Sequence, residues 1–348
     1  MMCMNPDTPR RASSIASART GRAPLLTQAL CTLGIMVAGC LAAAPAAAKD
    51  FPLHPVRIIV PSAPGGGYDF VARVFAEKWP ADLGQPVVVE NRAGSGTLLG
   101  TQIAAAATPD GHTLLVGGLA NLALNPGLFE KPGYDPVNDF TPIGMVGSFT
   151  YALVARKDLP QSSLQAVIAE ARANPGKLVM AAAGLGSGQH VAAALLGNLA
   201  RIEMLNVQYK GAQPAYTDLL AGRVDLFFDN TTTARPLVES GRIKAIATSG
   251  EVRDRLLPNV PTGIESGLEG LVFESWIGLF APARTPAPVI EELRRTLGRV
   301  MNDTTLRARF ESNGWRLSTL SPTEGAALVK SEAERWTQFL RKTGIKAE

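Results

Sequence analysis

From residue 56 onward the chain alternates short apolar runs with stretches of helical spacing. Val56-Arg57-Ile58-Ile59-Val60 is compact, rich in β-branched side chains and closed by Pro61, which predicts a buried strand. Phe70, Val71, Val74 and Phe75 then recur at helical intervals, so 70–79 reads as a helix that stops at Pro80. A strand at 86–89, a helix at 97–107, a turn at Pro109-Asp110-Gly111 and a strand at 113–116 follow. Alternating β and α units of this kind imply an α/β fold with a largely parallel sheet.

The pattern restarts at 151–155. A helix at 163–173 ends at Asn174-Pro175-Gly176, a strand covers 177–182, and another helix begins after Ser187. Further units run through 207–209, 224–228 and 244–248, before a strand at 278–281 and helices at 288–301 and 323–343. The two stretches echo each other. Ile58-Ile59-Val60 leads into Gly65-Gly66-Gly67 and a helix, and Leu178-Val179-Met180 leads into Gly184-Leu185-Gly186-Ser187-Gly188 and a helix. At 348 residues the chain also exceeds the usual size of one hydrophobic core. Two lobes are expected, the first built from 49–149 and 275–348 and the second from 150–274. Hinges are expected near Ser148-Phe149-Thr150 and Glu274-Ser275-Trp276. In open α/β sheets ligands collect outside the carboxyl ends of the strands, where both glycine loops lie, so one loop per lobe suggests a clam.

Residues 1–48 change the picture of where the protein works, because they read as a signal peptide. Arg10, Arg11, Arg19 and Arg22 precede an apolar run that begins at Leu25, and Ala46-Ala47-Ala48 offers the small side chains that a signal peptidase needs. Thr27, Gln28, Thr32, Gly34 and Gly39 interrupt that run, which makes it a poor membrane span and an adequate leader core. Val37-Ala38-Gly39-Cys40 is an alternative processing site, at which Cys40 would become a lipidated N-terminus. The periplasm is the expected location. Cys3, Cys31 and Cys40 all precede Ala48, so cleavage there leaves a domain without thiols or disulfides. The net charge of +4 is largely a leader effect, since 30 basic and 29 acidic side chains follow residue 48. That balance excludes a nucleic-acid footprint.

Three glycines between a buried strand and a helix let the backbone approach a ligand and turn its N–H groups inward. The helix adds partial positive charge at its N-terminus, so such a loop selects anions. Taken alone, Gly65-Gly66-Gly67 is equally a plain flexible turn; its place between strand and helix favours the anion loop. Asp69 stands where a helix N-cap would, a position from which its carboxylate holds backbone N–H groups more readily than it meets an anion. In the second loop Ser187 adds a hydroxyl and His190 lies one turn into the helix. Enzyme signatures fail on the same residues. Gly94-Ser95-Gly96 is followed by glycine only at Gly100, one residue too late for a dinucleotide fingerprint, and Leu185 stands where a hydrolase elbow around Ser187 needs glycine. His54, His112 and His190 are the only histidines, so no metal and no cofactor are expected, and His54 and His112 read as solvated surface residues.

These residues resemble the Bug solute-binding proteins, periplasmic receptors associated with tripartite tricarboxylate transporters. Arg57-Ile58-Ile59-Val60-Pro61 and Pro64-Gly65-Gly66-Gly67-Tyr68-Asp69 carry the resemblance first, then Gly84-Gln85-Pro86-Val87-Val88-Val89-Glu90-Asn91-Arg92 and Pro109-Asp110-Gly111. Gly186-Ser187-Gly188-Gln189-His190, Tyr209-Lys210-Gly211 and Val260-Pro261-Thr262 complete it. The resemblance implies a two-lobed periplasmic-binding-protein fold of type II-like form, each lobe a mainly parallel sheet flanked by helices. It further implies a monomeric receptor, without catalysis, that holds a small carboxylate (an amino acid, dicarboxylate or aromatic acid) through backbone amides and ordered water. The implied partners are that ligand and the membrane components of a tripartite tricarboxylate-type transporter. Carried onto this sequence, the site residues are Ser62, Gly66, Gly67, Tyr68 and Asp69 in the first lobe and Gly186, Ser187 and His190 in the second, with Asn121 and Asp229 at strand ends. Ser62 stands where the family usually has an aromatic ring and Tyr68 where it has a small hydroxyl residue, so ligand choice is expected to turn on that pair. Leu119-Ala120-Asn121 likewise replaces the family's small hydroxyl residues. A hydrolase or transferase on a similar scaffold, and an orphan receptor feeding a signalling sensor, are the alternatives.

Overall fold

Strands β1 (Val56–Val60), β2 (Val87–Asn91) and β3 (Thr113–Gly118) form a parallel set in the order β2-β1-β3. They belong to a computed structural model that describes residues 51–347. The leader at 1–48, its cleavage site and Cys40 lie outside the described residues. After β3 the chain makes a π-helical segment, Leu119–Leu124, and then β4 (Phe140–Arg156), a strand of 17 residues. The second half repeats the first: β5 (Val179–Ala182), β6 (Leu205–Gln208) and β7 (Leu226–Asn230) are parallel in the order β6-β5-β7.

Two strands tie the halves together. β4 pairs antiparallel with β9 (Glu274–Pro282) from Phe140 to Thr150, then with β7 and β8 (Ile243–Thr248) from Tyr151 to Arg156. β9 also pairs with β3, and the short β10 (Arg316–Leu317) adds to β4 at Gly147 and Ser148. The sheets are therefore mixed. Each half keeps three parallel strands, and the crossing strands run antiparallel because a chain that leaves one half must return to it.

The helices follow from local signals. α1 (Gly67–Leu83), α2 (Leu98–Ala105) and α3 (Asn125–Leu128) lie in the first half, and α4 (Leu164–Ala173), α5 (Gly188–Ala200), α6 (Ala212–Leu220) and α7 (Thr231–Glu239) in the second. α8 (Ala287–Asn302), α9 (Thr304–Ser312) and α10 (Pro322–Thr343) end the chain. α10 begins with a reciprocal box between Ser321 and Glu324 and packs on the π segment, α3 and β4, burying its Trp336.

Three elements differ from expectation. α1 runs through Pro80 instead of stopping there: the proline costs one ladder bond, but Trp79 and Leu83 are buried on either side, and Gly84 caps the helix in left-handed geometry. β4 begins at Phe140, well before the alternation shows. Register shifts between Pro142 and Gly144 and between Met145 and Gly147 break the period of two there. The apolar pattern does not announce α9; its stripe is only Leu306 and Phe310, and Asp303 caps it through the Leu306 N–H. Among the described residues no helix is long and apolar enough to cross a membrane.

Candidate functional site

The first loop leaves β1 at Val60 and enters α1 at Gly67. Gly66 is the N-cap, with no side-chain cap bond, so Asp69 is not the cap but the third residue of the helix. Its carboxylate reaches backward. It accepts from the Gly65 N–H at 2.9 Å, from Arg73 Nε at 2.8 Å and from Asn91 Nδ2 at 3.0 Å. Burial alone would raise the Asp69 pKa, but the hydrogen bonds from Arg73, Gly65 and Asn91 outweigh it and hold the group ionised below its usual range. Asn91 also donates to the Ser62 carbonyl at 3.2 Å, which pins the loop from the β2 side. Gly65 has φ +91°, and a Cβ at Gly65 or Gly66 would meet nothing within 4 Å. One face of the loop is thus braced and the other open.

Tyr68 turns its hydroxyl inward. It donates to Asn121 Oδ1 at 3.3 Å and accepts from the Ala120 N–H at 3.3 Å, and a Cβ at Gly118 would lie 2.7 Å from its oxygen. Asn121 is fully buried. It also accepts from the Gly118 N–H at 2.8 Å and donates to Thr101 Oγ1 at 3.0 Å, so its amide is engaged inside the first half. Ser62 keeps a half-exposed hydroxyl whose one internal contact is a 3.5 Å bond to the Ala63 carbonyl.

In the second loop Gly184 (φ +126°) and Gly186 (φ +75°) take conformations that disfavour side chains, and Ser187 caps α5 by accepting from the His190 N–H at 3.2 Å. His190 Nδ1 accepts from the Gly186 N–H at 3.2 Å, which leaves Nε2 as the protonated nitrogen. Burial lowers the pKa of His190 and favours that neutral form. The loop touches the first half, since a Cβ at Gly186 would lie 3.0 Å from Leu128 Cδ1.

The crossing strand brings the two loops together. Gly67 and Gly188 are the first residues of α1 and α5. A Cβ at Gly67 would lie 3.3 Å from the Phe149 ring, and one at Gly188 would collide with Tyr151 Oη. Phe149 and Tyr151 are two residues apart on one face of β4, with ring centroids 5.7 Å apart. Two helix N-termini, each carrying partial positive charge, therefore converge on the same face of one strand.

Residues 71–345 match the family model described as "Tripartite tricarboxylate transporter family receptor". The chain belongs to this family. It is similar in structure to the periplasmic binding protein BugD, at 35% identity and TM-score 0.76 over 85% of this chain and 99% of that one. MatC from Rhodopseudomonas palustris, solved with bound malate, matches at 34% identity and TM-score 0.75 over 83% and 100%. An R. palustris protein solved with adipate matches at 31% identity and TM-score 0.78 over 85% and 99%. The mixed α/β periplasmic-binding-protein fold expected from the sequence is thus the fold of the family, whose members are periplasmic solute-binding receptors.

In this receptor the remaining sequence-predicted residue, Asp229, lies near the end of β7 and is 2% exposed. Gln189 Nε2, from the first turn of α5, donates to Oδ1 at 3.1 Å, whereas Oδ2 lacks a partner. Burial pushes the carboxyl up to about 6 against the pull of the Gln189 hydrogen bond. Sequence reasoning missed Asn91, Gln189, Phe149 and Tyr151. Gln189 and Asn91 stood inside quoted motifs, while Phe149 was read only as part of a hinge and Tyr151 only as the start of a strand. One expectation is corrected: His112 is buried, stacked on His54 at 3.7 Å between centroids, with Asp110 Oδ1 3.4 Å from Nδ1. These three side chains could converge on an ion. His112 Nε2 already accepts from the Leu53 N–H, however, so Nδ1 must carry the ring proton and offers no lone pair.

Proposed function

We propose that this receptor captures a small carboxylate between its two halves and presents it to the membrane components of a tripartite tricarboxylate-type transporter, without chemical turnover. The convergence of the α1 and α5 N-termini, through Gly67 and Gly188, on Phe149 and Tyr151 carries the reading. Neither glycine loop contains a cationic side chain, so an anion there would be held by backbone N–H groups and helix dipoles. The relatives solved with malate and adipate point to a mono- or dicarboxylic acid of that size.

Direct contacts fall to the open side of the loops. In the first they are the Ser62 hydroxyl, the backbone at Gly66 and Gly67, and the Tyr68 ring; in the second, the backbone at Gly186, the Ser187 hydroxyl and His190 Nε2–H. Asp69, Asn121 and Asp229 support those contacts from behind, because their polar atoms are engaged within the protein or buried. Three or four charge-assisted bonds at about 1.5–3 kcal/mol each, less the costs of immobilisation and closure, are consistent with micromolar binding at about −8 kcal/mol. Closure would turn on Thr150 and Glu274, which pair where β4 changes partners, dividing the mature chain into 49–149 with 275–348 and 150–274. Removal of a signal peptide after Ala48, or lipidation at Cys40, would place the receptor in the periplasm, and the intact mass of the mature protein distinguishes the two.

Calorimetry against a panel of organic acids tests the reading. Saturable one-to-one binding without product is expected. Gly66→Val should weaken it at least about tenfold with little change in stability, since the new side chain enters open space at a φ of −88°. Turnover of any panel member, or failure of every acid to bind, would refute it.

A further inference from the structure

The two halves meet beside Thr150 and again at the second glycine loop, and the two contacts are built differently. Beside Thr150, where β4 changes partners, the ties are polar. Asp254 Oδ2 accepts from the Thr231 hydroxyl at 2.9 Å and from the Thr150 hydroxyl, and Thr232 Oγ1 donates to the Asn313 carbonyl of the first half at 2.6 Å. At the second loop the contact is apolar. Gly186 is buried, and a Cβ there would lie 3.0 Å from Leu128 Cδ1 and 3.5 Å from Ala347 Cβ, both in the first half. Among the described residues no hydrogen bond joins 183–188 to that half. Such a contact can part and reform without leaving a polar group unpaired.

The first-half side of this contact is held in place by its own chain. α3 ends at Leu128, whose carbonyl has no partner within so short a helix, and the Ala347 N–H supplies one at 3.1 Å. Ala347 reaches that carbonyl because Gly344, in left-handed geometry, ends α10 and turns the chain back. Ile345 then donates to the Leu340 carbonyl at 3.1 Å and packs on the core. Lys346 and Glu130 pair at 3.3 Å across the same junction, but both are exposed and add little. Leu128 is 2% exposed and is held as a core side chain. On the other side of the contact, the Gly186 N–H donates to His190 Nδ1, so the position of Gly186 fixes where His190 Nε2–H points.

We propose that Leu128 and Ala347 are positioning residues: they form the seat on which the second glycine loop closes, and through Gly186 they set the place of His190 and the residence time of the ligand. The inference rests on capture between the halves as described above. Opening about Thr150 and Glu274 lifts Gly186 off the seat while the polar ties beside Thr150 stay made. Glycine at 186 thus serves twice, since its φ of +75° disfavours side chains and Leu128 and Ala347 occupy the space one would need.

A reversible lock tests the seat. Residues 49–348 hold no cysteine, and 3.5 Å between the two Cβ positions is within disulfide reach, so Gly186→Cys with Ala347→Cys can join loop to seat on oxidation. In solution X-ray scattering without ligand, the oxidised variant should have a smaller radius of gyration than the same protein reduced. With adipate as probe, uptake and release should be at least about tenfold slower when oxidised and should recover on reduction. A merely structural contact would leave both readouts unmoved by oxidation. Because a side chain at 186 is strained, a variant outside the loop accompanies the pair. Ala347→Pro removes the N–H given to Leu128; it should enlarge the ligand-free radius above wild type and quicken adipate release at least about threefold, with unchanged circular dichroism. Equal radii in oxidised and reduced protein, or Ala347→Pro indistinguishable from wild type, would overturn the proposal. Adipate exchange as fast when oxidised as when reduced would sink the seat and leave the capture reading standing. Failure of every acid to bind would sink the capture reading, and the scattering comparison would then decide the seat alone.

Discussion

Replacing Asp229 with Asn should stabilise the ligand-free receptor at neutral pH and progressively less toward acid. The carboxyl is buried, has one hydrogen bond from Gln189 and leaves Oδ2 unpartnered, so its pKa rises from an ordinary 3.8 to about 6. The folded state therefore binds this proton more tightly than the unfolded chain. The associated stability is fully present below about pH 3.8, falls as pH rises, and is lost above about pH 6. A shift of that size corresponds to about 3 kcal/mol at neutral pH, which bounds the gain from an uncharged side chain of the same shape. Asn keeps an acceptor for Gln189 and offers an N–H₂ where Oδ2 stood. Urea unfolding of both proteins at intervals between about pH 4 and pH 8 isolates the effect, because every other titrating group is shared. The Asn advantage should grow across that window and then level. An advantage that is flat with pH, or a wild type that gains on the variant as pH rises, would refute the assignment.

Gly188→Ala should cost about 1–3 kcal/mol, because the new methyl would collide with Tyr151 Oη, and Tyr151→Phe should return part of the loss in a thermal-melt double-mutant cycle. Asp69→Asn should destabilise by about 1–3 kcal/mol in denaturant titration, since Gly65 N–H and Arg73 already share Oδ2, the charge paired with Arg73 is lost, and the new N–H₂ in place of Oδ1 would face the Asn91 Nδ2 donor. The depressed His190 pKa contributes stability that is present above the ordinary histidine value of 6.5 and lost as pH falls through the folded value. His190→Ala should flatten that acid limb in the same unfolding series.

Most of the α/β alternation was legible because strands β1, β3 and β5 are buried runs bounded by turns, and α4 and α10 carry caps and stripes that local chemistry fixes. The failures have local causes too. Pro80 is tolerated only because buried neighbours hold the last turn of α1, and the bulges in β4 erase the alternation on which a strand is recognised. At the site, the glycine loops announced themselves by composition, since Gly65, Gly184 and Gly186 occupy backbone conformations that other residues avoid.

The sequence by itself determined that this chain has two strand–glycine–helix units, no thiol after residue 48, no cationic side chain in either loop, and the ordered motifs of its family. Only the tertiary structure decided which face of each loop is open, that Asp69 braces the first loop in place of capping α1, and that Tyr68 spends its hydroxyl on Asn121 and Ala120. It alone brought Gly67 and Gly188 against neighbouring aromatic rings on β4. The division has a physical reason. Backbone freedom and helix polarity are properties of a few consecutive residues. The direction of a side chain and the burial of a carboxylate such as Asp229 depend on distant partners, Gln189 being 40 positions away, which no local pattern encodes.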